Sequence, residues 1–347
     1  GMGLVRASQP GNEWIMGWGF DISKGEPEVT EAQVRARLNA FVGEEIQEVE
    51  IEKVSYWYVN QTWATQYSVG RVFCGGDAVH RHPPSSGLGS NTCMQDAFNL
   101  GWKLAYAVKG WATPELLASY SDERAPVGKQ IVARANQSRF DYKHLKEVFG
   151  FDDGVSTQAE MLDLIFAETA EAAQIREKLY QALAIKHYEF NAQGVELNQR
   201  YVSNAMLAET TTETFLQDPQ LYLQATTRPG AKVPHTWLID AKGHKHSTLD
   251  IVGKGRFTLL TGLSGKAWKT AAAELNLAYL DVIQIGAHEH LDVYATWQQK
   301  SEIADAGEVL VRPDGYVAWR MQDTPSADFD HLACLKQVLS QIQLCIK

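Results

Sequence analysis

Apolar residues recur along this chain with two periods, and each switch of period marks an element. Leu4-Val5-Arg6-Ala7 and Trp14–Phe20 flank the turn-forming Gln9-Pro10-Gly11-Asn12, so residues 3–21 read as a β-hairpin. Within its second strand Trp14, Met16, Trp18 and Phe20 alternate with smaller or polar neighbours and share one face, expected to pack on a core. Helical spacing follows, with Val34, Leu38, Phe41 and Val42 inward, Thr30 as the cap and Gly43 as the stop. Residues 49–60 alternate again through Val49, Ile51, Val54, Tyr56 and Tyr58 and predict a strand.

The stretch from Arg71 to Gly110 changes character twice. The short apolar run Val72-Phe73-Cys74 stops at Gly75-Gly76 and leaves Asp77 at a strand end. A polar loop with Pro83, Pro84, Gly87 and Gly89 leads into a helix. Ala97, Leu100, Gly101, Leu104, Ala105 and Val108 recur there at three and four residues and predict its inward face, and Gly110 predicts a left-handed stop. Thr113-Pro114 opens a second helix with Leu116, Leu117 and Tyr120 inward. Pro126 is expected to break or kink it, with Val127–Leu145 continuing as a further helix. Residues 161–185 predict two helices broken near Thr169–Glu171.

From about Arg228 strands and helices alternate. Trp237-Leu238-Ile239, Phe257–Thr261 and Tyr279–Ile285 read as strands, and Ala267–Leu275 as a helix. Val309-Leu310-Val311 and Tyr316–Trp319 flank the hairpin turn Arg312-Pro313-Asp314-Gly315, and an amphipathic helix over Leu332–Ile346 closes the chain. The pattern is α/β (α+β) in two domains, residues 1–225 and 226–347.

Composition narrows the function classes. The chain has 347 residues and a formal net charge of −10, with no basic run or Lys/Arg stripe, which argues against nucleic acid as a partner. No apolar run approaches the roughly 20 residues that span a membrane. Cys74, Cys93, Cys334 and Cys345 form no C-x-x-C pair and fit free thiols in a reducing cytoplasm. Cys334 and Cys345 both fall in the expected terminal helix, too far apart to bridge. His80-x-His82 and His288-x-His290 lack further ligands in sequence, so no metal site is expected. Neither a G-x-S-x-G nor an H-E-x-x-H motif is present.

A glycine-rich strand–loop–helix with a carboxylate at its turn has the parts of a ligand site. A helix start offers unpaired N–H groups and partial positive charge, and nearby glycines let a ligand come close. The same features also suit an ordinary strand–loop–helix with a solvent-facing Asp77.

Arg-Val-Phe-x-x-Gly-Asp-Ala-x-His-x-x-Pro-Pro, followed by Gly-Leu-Gly-x-Asn-Thr and Gln-Asp-Ala-x-Asn-Leu-x-Trp-Lys-Leu, resembles the second flavin-binding motif of FAD-dependent aromatic hydroxylases, the phenol hydroxylases in particular. Ser-Tyr-Ser-Asp-Glu-Arg-Ala-Pro at residues 119–126 and Phe-Asn-Ala-x-Gly-Val-Glu-Leu-x-x-Arg-Tyr at residues 190–201 resemble further segments of that family, with Asn198 where the family more often has Gly. The resemblance implies a cofactor site made by Gly76, Asp77, Ala78, Pro84, Gly87, Leu88, Gly89, Ser90 and Asn91. In it Asp77 binds ribityl hydroxyls of FAD, Pro84 lies against the reactive ring and the Gly87–Asn91 backbone faces the pyrimidine edge. Arg81 and Lys103 are basic candidates for offsetting phosphate or reduced-flavin charge. Trp14, Trp18 and Trp57, with Pro84, are the aromatic candidates for a substrate wall. No side chain is assigned a catalytic step.

The activity implied is ortho-hydroxylation of a phenol, plain or chlorinated, with NADPH and O2, by a homodimer. After residue 226 the resemblance implies a thioredoxin-like domain, structural rather than redox-active because Leu263-Ser264-Gly265-Lys266 holds no cysteine where a reactive pair would sit. The family's G-x-G-x-x-G unit is missing from this sequence, since Gly17-Trp18-Gly19 lies in a strand and lacks the third glycine. The expectation is a fragment of a hydroxylase that binds FAD weakly or not at all and is inactive alone. The alternative is a non-enzymatic folding or dimerisation module on a flavin-like scaffold.

Overall fold

The computed structural model describes residues 3–9, 11–150 and 158–346. Two compact units emerge, one of residues 1–59 with 149–172, the other of residues 60–148 with 173–347. In the first, β1 (Gly3–Gln9) and β2 (Glu13–Trp18) form the expected antiparallel hairpin, Leu4 opposite Gly17 and Val5 opposite Met16. Pro10 of its turn lies outside the described residues. The hairpin is not packed on a core as predicted: Trp14 is 60% and Ile15 55% exposed. Only two strands pair, and such a ribbon has little apolar surface to hide.

Helix α1 (Glu31–Val42) is the best-signposted element of this unit. Thr30 Oγ1 accepts from the Gln33 N–H while Gln33 Oε1 accepts from the Thr30 N–H, a complete capping box, and Gly43 closes the helix at φ 90°. The predicted strand at residues 49–60 does not form. Its alternation survives in Tyr56 and Tyr58, which both meet the Phe20 ring edge-on. A strand needs a ladder partner for its backbone, and no described strand pairs with this run.

The second unit starts with short pieces. Strand β3 (Thr62–Trp63) pairs with β6 (His80–Arg81), and β4 (Ser68–Val69) with β5 (Val72–Phe73), all antiparallel. Three helices follow: α2 (Leu88–Val108), α3 (Ala118–Phe140) and α4 (Tyr142–Phe149). The expected break at Pro126 is absent; α3 runs through it. Tyr120, Glu123 and Arg124 before the proline and Val127, Ile131 and Val132 after it are all buried, so packing on both sides outweighs the lost hydrogen bond.

Helix α5 (Gln158–Phe166) belongs to the first unit, and α6 (Ala170–Ile185) follows a break at Thr169, whose Oγ1 accepts from the Ala172 N–H. Short helices α7 (His187–Phe190) and α8 (Gln193–Leu197) come next. Asn198 has φ −85° and ψ 20°, so no glycine is needed there. Its side chain donates to the Pro219 and Tyr222 carbonyls and accepts from the Gln224 N–H, pinning the irregular chain beyond.

The remainder is built around one sheet. The hairpin β7 (Trp237–Ile239) and β8 (Lys245–Ser247), with the turn α9 (Thr248–Ile251), precedes β9 (Phe257–Thr261), α10 (Lys266–Leu275) and β10 (Leu280–Gln284). Then come α11 (Thr296–Ser301), β11 (Glu308–Val311), β12 (Val317–Met321) and α12 (His331–Gln341). The strand order is β10-β9-β11-β12, with β9 and β10 parallel and the other pairs antiparallel. Strand alternation divides its side chains between two cores. Phe257, Leu259, Leu310 and Ala318 face one, while Leu260, Val309, Val311 and Val317 face the other. Trp102 and Tyr106 of α2 join the first core, so the flavin-motif helix is welded to this sheet. Helix α12 ends at Gln341, leaving Cys345 beyond it; all four cysteines are free thiols.

Candidate functional site

The run before Asp77 is not the end of a parallel strand. β5 folds back on β4, and Asp77 sits in a 3-10 turn, Gly76–Ala78. Gly76 makes that turn at φ 62°, and a Cβ there would lie 3.0 Å from Cys93 Sγ, so glycine is required twice over. The turn presents Asp77 and Ala78 to solvent while Gly76 is buried. Asp77 Oδ1 lies 3.9 Å from Cys93 Sγ on α2, which places the carboxylate against that helix.

The loop then delivers the helix start. Pro83 is buried and Pro84 exposed. Ser86 and Gly87 both adopt positive φ, 68° and 62°, and swing the chain into α2. Gly87 occupies the cap position without a side chain to cap it, so the first-turn N–H groups stay open to a ligand. Gly87 and Ser90 are exposed, Gly89 half-buried and Leu88 buried beneath them; Asn91 Nδ2 donates to the Gly87 carbonyl at 2.9 Å. Two cavities flank this start, of about 310 and 300 Å3, and both are bounded by Leu88 and Glu196. Phe190 and Asn191 line the first, Asn91 and Gln95 the second. The Phe-Asn-Ala segment therefore forms the wall opposite α2. An exposed carboxylate beside an uncapped helix start fits a ligand carrying hydroxyls and an electron-rich ring edge.

The predicted aromatic wall divides. Trp14 and Trp18 lie on β2 and Trp57, 65% exposed, on the irregular run after α1, all in the first unit; Pro84 lies in the second. The Trp18 ring has the Arg37 guanidinium 5.3 Å from its centroid.

The sequence reading missed what lies under the site. Most of the predicted inward face of α2 faces out: Ala97, Gly101, Leu104 and Ala105 are exposed and Val108 is 87% exposed, whereas Leu100 packs against the cluster of Tyr67, Val79, Tyr120 and Ala125. The face turned inward carries Thr92, Asp96, Asn99, Trp102, Lys103 and Tyr106. These recur at the same three- and four-residue spacing, so periodicity alone could not choose between the two stripes. Lys103 is not turned to a ligand. Its Nζ donates to Asn99 Oδ1 and Glu123 Oε2, both at 2.8 Å, with no exposed surface. Arg312 binds the same Glu123 carboxylate through both terminal nitrogens, at 2.5 and 2.8 Å, and reaches Asp314 at 2.5 Å. Burial pushes Lys103 down to about 8 against the pull of Glu123. Burial also works to raise the Glu123 carboxyl, but the charges of Arg312 and Lys103 more than reverse it and keep it well below the usual carboxylate range.

Beside this cluster His80 Nε2 and Asp96 Oδ2 lie 2.9 Å apart, with Arg124 Nε 2.7 Å from Asp96 Oδ1. The His80 and His82 rings stack, centroids 6.2 Å apart, but bind different partners. The His80 ring is buried on Asp96, while His82 Nδ1 lies 2.7 Å from its neighbouring Pro83 carbonyl. Arg81 is exposed, and its Nε donates to the Asp77 carbonyl. Among the described residues no group of three or more His, Cys, Asp or Glu side chains is arranged to hold a metal ion, and no helix is long and apolar enough to cross a membrane.

Comparison with known proteins agrees with this architecture. Residues 2–135 match an FAD binding domain family and residues 226–342 the family described as aromatic-ring hydroxylase, C-terminal. The 2,4-dichlorophenol 6-monooxygenase of Cupriavidus pinatubonensis (strain JMP 134 / LMG 1197) is 41% identical over 98% of this chain and 58% of its own length. The phenol 2-monooxygenase of Pseudomonas sp. (strain EST1001) is 43% identical over 94% of this chain and 56% of its own. The crystal structure of the flavin-dependent monooxygenase PieE in complex with FAD and substrate superposes with a TM-score of 0.85 at 42% identity, covering 98% of this chain and 59% of that one. The chain thus spans a little under three fifths of the length of these relatives. Over the part it spans, the chain is similar throughout to flavin-dependent monooxygenases, with an FAD binding domain match in its first part and an aromatic-ring hydroxylase C-terminal match in its last.

Proposed function

We propose that this chain is part of an FAD-dependent monooxygenase that hydroxylates a phenol, plain or chlorinated, ortho to its hydroxyl, with NADPH and O2 as co-substrates. The observation that carries the reading is the exposed Asp77 carboxylate set against the second turn of α2, a helix whose start has no side-chain cap. When bound, FAD supplies the electron transfer to O2 that no side chain here can perform. The chain's own residues hold and orient it. Asp77 accepts from ribityl hydroxyls. The Gly87–Asn91 backbone, with the open N–H groups of Leu88, Gly89 and Ser90, faces the pyrimidine edge, where the helix start favours negative charge. Pro84 stiffens the backbone beside the ring, with Gly76 and Ala78 shaping the Asp77 turn. The 190–199 segment closes the opposite side and limits water.

We place a domain boundary near residues 225 and 226 and take residues 226–347 as thioredoxin-like. The β10-β9-β11-β12 order with α10 and α12 supports this. Lacking a thiol pair before α10, that domain serves assembly, as a homodimer. Titration with FAD, followed by flavin fluorescence, tests the flavin reading. The expected result is weak, saturable binding that Asp77→Ala abolishes, without phenol-dependent NADPH oxidation by the chain alone. A folded chain that ignores FAD, or binds it equally well without the Asp77 carboxylate, overturns the assignment.

A further inference from the structure

Asp96 is buried on α2, 1% exposed, and does not line the proposed ligand shelf. Its Oδ2 accepts the Gly76 N–H at 3.0 Å and lies 2.9 Å from His80 Nε2, while Oδ1 accepts Arg124 Nε at 2.7 Å. Gly76 is the residue whose positive φ aims Asp77 outward. The turn is therefore gripped from below by a charged acceptor. The Tyr120 hydroxyl adds a second grip by donating to the Cys74 carbonyl at 2.9 Å. An apolar residue at position 96 could fill the same space but could not accept the Gly76 N–H.

Arg124 carries the connection onward. Its Nη1 donates to Gln199 Oε1 at 3.0 Å and to the Tyr201 hydroxyl at 2.9 Å. Gln199 Oε1 also accepts from the Tyr316 hydroxyl at 3.1 Å, and Tyr316 immediately precedes β12. A continuous hydrogen-bonded path thus joins the C-terminal sheet, the wall segment and the turn bearing Asp77.

We infer that Asp96 is a positioning residue for FAD: clamped by Arg124, it fixes the Gly76–Asp77 turn in the conformation that meets the ribityl hydroxyls. This rests on the flavin reading above. Asp96 touches no part of the ligand and acts only through Gly76. Burial works to raise the Asp96 carboxyl, but His80 and Arg124 more than reverse it and hold it below the usual carboxylate range, which suits a group that accepts from Gly76 and Arg124 together.

The test compares Asp96→Asn with Leu259→Ala, a core truncation in β9 remote from the turn, under conditions where both are folded. Two readouts are taken, hydrogen exchange at the Gly76 amide and FAD affinity. In Asp96→Asn, Gly76 loses protection and FAD affinity falls about tenfold, the effect of losing roughly one hydrogen bond to a charged group. In Leu259→Ala, Gly76 protection and FAD affinity hold. Retained protection in Asp96→Asn, or lost protection with unchanged affinity, overturns the inference. If Asp96→Asn does not fold, Arg124→Lys keeps a charge beside Asp96 but cannot span Gln199 and Tyr201 together. It is expected to weaken FAD in the same direction, and an unchanged affinity is equally fatal. Failure of the unmodified chain to bind FAD refutes the flavin reading itself, whereas binding that ignores both variants refutes only the role of Asp96.

Discussion

The four-stranded sheet and helix α2 share one unit and one core, to which α2 gives Trp102 and Tyr106, yet α2 also buries a row of polar and charged residues. On β9 every residue from Phe257 to Thr261 is buried, and the apolar ones divide cleanly between the two faces. On α2 the apolar stripe through Met94, Phe98 and Val108 faces outward, and the buried stripe carries Asp96, Asn99 and Lys103. The sheet hides what water rejects. The helix hides charges that have found one another, Lys103 and Arg312 on Glu123 and Arg124 on Asp96. The first kind of burial fails by degrees, since a lost methyl leaves a cavity whose cost grows with its volume. The second does not, because a lost partner leaves a charge with nowhere to go.

The sharpest way to break this contrast is Glu123→Gln. It strands Lys103 and Arg312 without their shared carboxylate and is expected to cost about 3–5 kcal/mol, read from the urea midpoint. A change well under 1 kcal/mol in that measurement would mean the cluster holds nothing.

A smaller effect of opposite sign is expected at Glu308, where the sheet breaks its own rule without a compensating charge. Glu308 starts β11 with no exposed surface, and neither carboxylate oxygen has a hydrogen-bond partner among the described residues. Burial raises its carboxyl well above 4.5, only partly opposed by the Thr261 hydroxyl. Folding therefore favours the protonated form, so Glu308 destabilises the fold increasingly as pH rises above 4.5 towards its raised folded value. Glu308→Gln should raise the melting temperature near neutral pH, and the gain should vanish below about pH 4.5. Equal gains at both pH values would show that ionisation is not the cause.

The smallest effect is expected on the outward stripe of α2. Val108→Ser changes a side chain that is 87% exposed and should move stability by no more than about 0.5 kcal/mol by thermal melting. A larger loss would mean that this stripe is covered when the chain folds.

Much of the local structure was legible. The cap at Thr30, the turn at Arg312–Gly315 and the break near Thr169 each rest on a few adjacent residues, and each formed as read. The turn at Gly76 and the loop into α2 were legible for the same reason: Gly76, Gly87 and Pro84 set their own backbone. Expectations that depended on distant contacts failed together. The strand at residues 49–60 lacked a partner, the break at Pro126 was overridden by packing, and α2 was rotated about its axis relative to its pattern.

The chain by itself determined where elements start and stop, because caps, turns and glycine conformations are decided within a few residues. It also determined the loop that presents Asp77 and the α2 start. Tertiary structure alone decided which stripe of α2 turned inward. Two stripes with one period are equivalent until Glu123, Arg124, Arg312 and Asp314, up to about two hundred residues away, supply the opposite charges that make the polar stripe the cheaper one to bury.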